Sequence, residues 1–121
     1  MKHISEIVSQ AKSKISELSI QEAEEAIANA DLVIDCRESE EFSTGHIQGA
    51  IHASRGMLEF KLGNVPDHNN RDLNIVIYCK SSGRAALSAC SLLDMGYKNV
   101  KSIAGGIDAW VAAGKPIVRT N

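Results

Sequence analysis

The sequence predicts an α/β domain on a mainly parallel sheet of about five strands, with helices on both faces and an extra helix at the N-terminus. Three observations carry this. Short apolar, β-branched runs alternate with segments of helical periodicity along the chain, the signature of strand–helix–strand units. Runs such as LVIDC and NIVIYC are apolar at almost every position, as in strands covered on both faces. The chain has 121 residues, 44% of them hydrophobic, which suits one compact domain with a real core.

Each element has its own warrant. Ile4, Ile7, Val8, Ala11 and Ile15 recur at spacings of three or four, which predicts an amphipathic helix over about 3–15. LSI at 18–20 is a candidate edge strand. SIQEAEEAIANA carries a capping residue at Ser19 and acids in its first turns, and predicts the next helix. LVIDC (32–36) is a strand, ESEEF a helical turn stopped by Gly45, and AIHA (50–53) a second strand. RGMLEFKLG predicts a helix closed by Gly63, and NVPDHNNRD is loop by composition. NIVIYC (74–79) is a strand, and GRAALSACSLLDMGY a helix that stops at Gly96. NVKSIA is the last strand, and GGIDAWVAAG the last helix.

Composition excludes several classes. Net charge is −2 with no basic patch, which argues against nucleic acid. No apolar run reaches the length of a membrane span, and the first residues lack the apolar stretch of a signal peptide. Three cysteines without Cys-x-x-Cys spacing form no disulfide framework and point to free thiols in the cytoplasm. The four histidines do not cluster with them, so no metal and no cofactor is expected.

The chemistry concentrates at IYCKSSGRA. In parallel sheets, sites form outside the carboxyl ends of strands, and Cys79 stands at such an end. The loop Lys80, Ser81, Ser82, Gly83 runs into a helix N-terminus, where inward N–H groups stabilise an anion. Gly83 permits a tight backbone, and Lys80 and Arg84 add positive charge. A thiol in that field ionises readily, and the thiolate is the nucleophile. Cys36 and Cys90 read instead as buried, inert thiols.

Four segments in order then resemble the rhodanese family of sulfurtransferases. VIDCRESEEFSTGHIQGA resembles its first signature, SRGMLEF the segment that follows, IVIYCKSSGRAALSA the active-site strand, loop and helix, and LLDMGYKNVKSIAGGIDAW the closing signature. The resemblance spans about Leu18 to Pro116. It implies a rhodanese domain over 18–121, with residues 1–17 as a helical extension. It implies that Cys79 takes the outer sulfur of an anionic donor such as thiosulfate as a persulfide and passes it to a thiol or protein acceptor. The amides of Lys80 to Arg84 would cradle that sulfur, and Lys80 and Arg84 would draw the donor. Rhodanese-like phosphatases have five residues between cysteine and arginine; the four here imply a ring fitted to sulfur.

Other residues weigh less. Asp35 and Arg37 are expected to hold a turn together, because charges at a strand end need partners. His46 is expected to hydrogen-bond within the turn. Arg55, just after the third strand, is a candidate at the pocket mouth, Trp110 a core anchor, and Cys36 a conceivable resolving cysteine, since its strand lies beside that of Cys79 in the rhodanese sheet. Two competing functions are a persulfide carrier that hands sulfur to a protein without turnover, and a redox or phosphatase-like enzyme.

Overall fold

The computed structural model describes residues 1–119. Along it run α1 (Ile4–Lys12), β1 (Ser16–Leu18), α2 (Ile20–Ala28), β2 (Leu32–Asp35), α3 (Ser39–Thr44), β3 (Ile51–His52), α4 (Leu58–Asn64), β4 (Asn74–Tyr78), α5 (Gly83–Asp94), β5 (Asn99–Ile103) and α6 (Gly106–Ala112). The five strands form one sheet in the order β1-β5-β4-β2-β3, and every neighbouring pair is parallel. The α/β sheet with helices on both faces and an additional N-terminal helix is as the sequence predicts.

Side chains alternate across the sheet and build two core layers. Ile34, Ile75 and Ile77 face α4 and α5, where Leu58, Leu62 and Leu92 are fully buried. Val33, Val76 and Tyr78 face α2 and α6, where Ala23, Ile107 and Trp110 cover them. Burying each Ile or Leu contributes about 1.5–3 kcal/mol, so both faces are anchored strongly. The Trp110 indole N–H also donates to the Pro116 carbonyl at 2.7 Å, so the ring buries without stranding its polar atom.

Three boundaries depart from the sequence reading. The first strand is Ser16–Leu18 rather than 18–20, because Ser19 is consumed by a capping box. Its hydroxyl accepts from the Glu22 N–H, and the Glu22 carboxylate accepts from the Ser19 N–H. Helix α1 stops at Lys12 rather than near 15, and Ile15 leaves it to pack on the core. Of its apolar stripe only Ala11 is buried; Ile4 and Ile7 are exposed. Helix α4 begins at Leu58, after a turn over 54–57, and runs through Gly63. Pro66 sets its end instead, since the residue before a proline is pushed to extended backbone, and Val65 is extended. The following loop contains one 3-10 turn at Pro66–His68.

Candidate active site

Strand β4 delivers Cys79 to the carboxyl edge of the sheet, between β2 and β5. Its side chain falls on the Ile75 and Ile77 face, and it is 1% exposed. The Ala85 N–H, in the first turn of α5, donates to its Sγ at 3.3 Å. The N–H groups of Gly83 and Arg84, in the same turn, have no acceptor inside the helix. The sulfur therefore sits at the positive end of a three-turn helix. Its pKa falls to about 6. The largest cause is the neighbouring Cys36 thiol, with the Ala85 N–H and the Arg84 charge adding to it against the penalty of burial. Cys36 is pushed the other way by its neighbour Cys79 and by burial, and its thiol donates to the Tyr78 carbonyl at 3.4 Å.

The loop keeps its shape through α6. The Ile107 N–H donates to the Cys79 carbonyl at 2.9 Å and the Asp108 N–H to the Lys80 carbonyl at 3.0 Å. This approach requires glycine at 106, where φ is +58° and a Cβ would stand 2.5 Å from the Cys79 carbonyl oxygen. Gly105, φ +78°, would place a Cβ 2.7 Å from that of Ala109. The Gly-Gly pair, seen in the sequence only as part of a signature, thus holds the Cys79 loop from below.

Three cations ring the loop, each met by an acid from another element. Arg84 grips Glu41 of α3 through two bonds, 2.7 and 3.0 Å, and holds that carboxyl down at about 2. Lys80 reaches Asp108 of α6 at 3.0 Å, with both groups well exposed. Lys12 of α1 donates to the Ser82 hydroxyl at 2.7 Å and lies 3.8 Å from Glu17. Ser81 is exposed at the crest, while Ser82 and Gly83 are half-buried. Val8 packs within 3.6 Å of where a Gly83 Cβ would be, so α1 covers one side of the loop.

The sequence reading missed Lys12. Its only signal is its place four residues after Val8, on the same side of the helix. Nothing local reveals that this side meets a loop 70 residues on. Glu41 and Asp108 as partners of the two expected cations were missed for the same reason.

The remaining candidates occupy supporting positions. Arg37 donates through Nε and Nη2 to Asp35 and through Nη2 to the Gly45 carbonyl at 2.6 Å. Asp35 is fully buried and Arg37 nearly so. Burial works against the Arg37 charge, and Asp35 outweighs it, raising the guanidinium above its usual range. The pair ties the end of β2 to the turn after α3. His46 stacks on Phe42 at 3.9 Å, accepts the Val118 N–H on its carbonyl and places Nδ1 3.0 Å from the Phe42 carbonyl. Arg55 joins Glu59 at 2.9 Å and Ser91 at 3.2 Å. Ser91 lies about 12 Å along α5 from Gly83 at 1.5 Å per residue, so the Arg55 guanidinium is not brought to the loop.

Among the described residues no group of His, Cys, Asp or Glu is arranged to hold a metal, and no helix is long and apolar enough to cross a membrane.

Known proteins resemble this chain over most of its length. Thiosulfate sulfurtransferase 16, chloroplastic, of Arabidopsis thaliana is 34% identical over 109 residues, covering 84% of this chain and 91% of that protein. Thiosulfate sulfurtransferase GlpE of Haemophilus influenzae is 30% identical, covering 86% and 95%. A solved structure from Rhodopseudomonas palustris, of a protein of unknown function called a possible tyrosine phosphatase, superposes with a TM-score of 0.88. It is 33% identical, over 98% of this chain and 96% of that one, so α1 belongs to the shared fold. A rhodanese-related protein from Thermoplasma volcanium superposes with a TM-score of 0.75 at 27% identity, covering 87% and 99%. The profile of the rhodanese-like domain matches residues 19–113, most of the chain and every element that shapes the Cys79 loop except α1, and on that ground the chain belongs to the rhodanese-like family.

Proposed function

We propose that the protein is a sulfurtransferase that carries a sulfane sulfur on Cys79. The observation that carries this is the placement of the Cys79 sulfur, 3.3 Å from the Ala85 N–H inside a four-residue loop at a helix N-terminus, a setting that pushes its pKa down. The Cys79 thiolate attacks the outer sulfur of an anionic, thiosulfate-like donor. The sulfur–sulfur bond of the donor breaks, sulfite leaves with the electron pair, and Cys79 keeps the sulfur as a persulfide. An acceptor thiolate then attacks that outer sulfur and returns Cys79 as thiolate. The amides of Lys80 to Arg84 cradle the terminal sulfur, as an oxyanion hole cradles oxygen. Lys80, Arg84 and Lys12 draw the donor anion; Arg55 stands back from the loop and has at most a remote share. The relatives named for thiosulfate support this choice of donor.

Incubation with thiosulfate should add the mass of one sulfur to the intact chain, mapped to Cys79. Thiosulfate with cyanide should yield thiocyanate, and Cys79→Ala should remove both signals. Equal thiocyanate production by mutant and parent overturns the assignment.

A second reading is a carrier that loads sulfur once and delivers it to a protein partner. The pairing of Arg84 with Glu41 and Lys80 with Asp108 supports it, because both cations are partly neutralised before any donor arrives. Stoichiometric loading without steady-state thiocyanate production distinguishes it. A phosphatase role, raised by the name of the Rhodopseudomonas relative, is disfavoured by the four-residue loop; hydrolysis of an aryl phosphate that depends on Cys79 would restore it.

A further inference from the structure

Cys36 is a buried nucleophile that this sulfur transfer leaves unused. The β2–β4 register pairs Asp35 with Tyr78. Continued by one step, it sets Cys36 beside Cys79, and the Cys36 N–H does donate to the Tyr78 carbonyl at 3.0 Å. Neighbouring strands lie about 4.8 Å apart, within the roughly 4.4–6.8 Å that a disulfide spans between Cα atoms. Both side chains point to the same sheet face and share one apolar cluster, 0% and 1% exposed. The Cys36 thiol donates to the Tyr78 carbonyl at 3.4 Å, which holds its sulfur against the strand that ends in Cys79. A third group completes the set. The Ser88 hydroxyl, on α5, is fully buried with no hydrogen-bond partner of ordinary geometry among the described residues. It lies beside Cys36, where it can donate to that sulfur as negative charge develops.

We propose that Cys36 resolves the Cys79 persulfide when no external acceptor takes it, so that the protein releases hydrogen sulfide and is left with a Cys36–Cys79 disulfide. This rests on the reading of Cys79 as a persulfide carrier. The Cys36 sulfur attacks the inner sulfur, Cys79 Sγ, and a bond forms between them. The bond from Cys79 Sγ to the outer sulfur breaks, and the outer sulfur leaves with the electron pair, collecting the Cys36 proton as hydrogen sulfide. The sulfane sulfur gains two electrons and the two cysteine sulfurs lose one each, so no outside oxidant enters. A dithiol reductant then restores both thiols and is itself oxidised to a disulfide. Cys36 is fully buried, so it meets the persulfide from inside the domain, while an external acceptor must come from solvent. The protonated state of Cys36 keeps the internal route slower than delivery to a good acceptor.

The test uses the full chain, reduced and freed of reductant under argon. One sample is loaded with thiosulfate and a parallel sample with inorganic polysulfide, which persulfidates a thiolate without a donor site. After removal of excess donor, released sulfide and intact mass are followed with time. The expected result is about one sulfide per loaded chain and a Cys36–Cys79 disulfide peptide. Cys36→Ser and Cys36→Ala should keep the added sulfur at least roughly tenfold longer, since they lose a nucleophile held beside Cys79 on the neighbouring strand. Failure to load from thiosulfate but not from polysulfide bears on the proposed donor alone. Persulfide that persists in the parent as long as in both variants, or sulfide release without the disulfide peptide, overturns the internal route; the peptide is read on the parent and needs no variant to fold.

Discussion

At the scale of single residues, the proposed chemistry turns on the Cys79 thiol and the groups packed around it. A thiol of ordinary pKa is mostly protonated near neutrality. Here the neighbouring Cys36, the Ala85 N–H and the Arg84 charge depress Cys79 to about 6. The rate of sulfur uptake from thiosulfate should therefore rise as pH passes through about 6 and flatten above it. Cys36→Ala, which removes the largest cause, should move that rise upward; stopped-flow release of sulfite across pH measures it, and an unmoved profile refutes the part given to Cys36. The linkage sign agrees: an acid depressed by folding contributes stability that is complete above its unfolded pKa and is lost as pH falls through its folded one. Gly106 is a second point of control. Alanine there meets the left-handed backbone penalty of about 1–2 kcal/mol and drives a methyl into the carbonyls of Cys79 and Lys80. Gly106→Ala should lower denaturant stability by at least that amount and cut sulfur uptake more than tenfold in order of magnitude, because the loop moves as a unit. Cys79, Gly83 and Arg84 were legible in the sequence because strand, loop and helix adjoin. The reason for Gly106 was not, since it depends on carbonyls 26 and 27 residues earlier.

At the scale of elements, α1 and α3 each bring charge to the loop and the first turn of α5. Lys12 is the cation that bonds to the loop itself. Lys12→Met should raise the KM for thiosulfate several-fold with little change in kcat, the pattern of lost ground-state binding. A fall in kcat alone would mean that α1 acts on the chemistry instead. Glu41 and Arg84 form a two-pronged pair in which each side chain is about one third exposed, so its stability contribution is screened and modest. Its larger consequence is orientation. Glu41→Gln should free Arg84 to meet anions, strengthening thiosulfate binding while loosening α3 from α5. Because Glu41 is held at about 2, this tie is intact above the ordinary carboxylate range and loosens only as pH falls toward 2. The helices and strands themselves were legible from periodicity, yet their ends moved by a few residues wherever a local device competed. Ser19 chose a cap over a strand, and Val65 yielded to Pro66. Such choices depend on side-chain hydrogen bonds and the φ/ψ of one residue, which hydrophobic patterning does not resolve.

At the scale of the whole molecule, the question is where the rhodanese-like domain begins. Helix α1 buries little of its own surface, whereas β1 is a true sheet strand: it pairs with β5 from Ser16 to Leu18, and the Leu18 carbonyl accepts the Ala104 N–H at 2.8 Å. Removing α1 and removing α1 with β1 are therefore different operations. A chain beginning after Ser13 keeps all five strands. It should fold, lose only a small part of its stability, and load sulfur with the raised KM expected for the absence of Lys12. A chain beginning after Leu18 strips the edge from β5 and uncovers Ile103, fully buried in the intact chain. Its unpaired β5 backbone is a template for another strand. That chain should melt much lower and associate in solution. Thermal circular dichroism and sedimentation velocity on the two truncations decide the point. If both behave alike, the boundary lies at the helix rather than inside the sheet, and the contact of Lys12 with Ser82 matters more for folding than for donor binding.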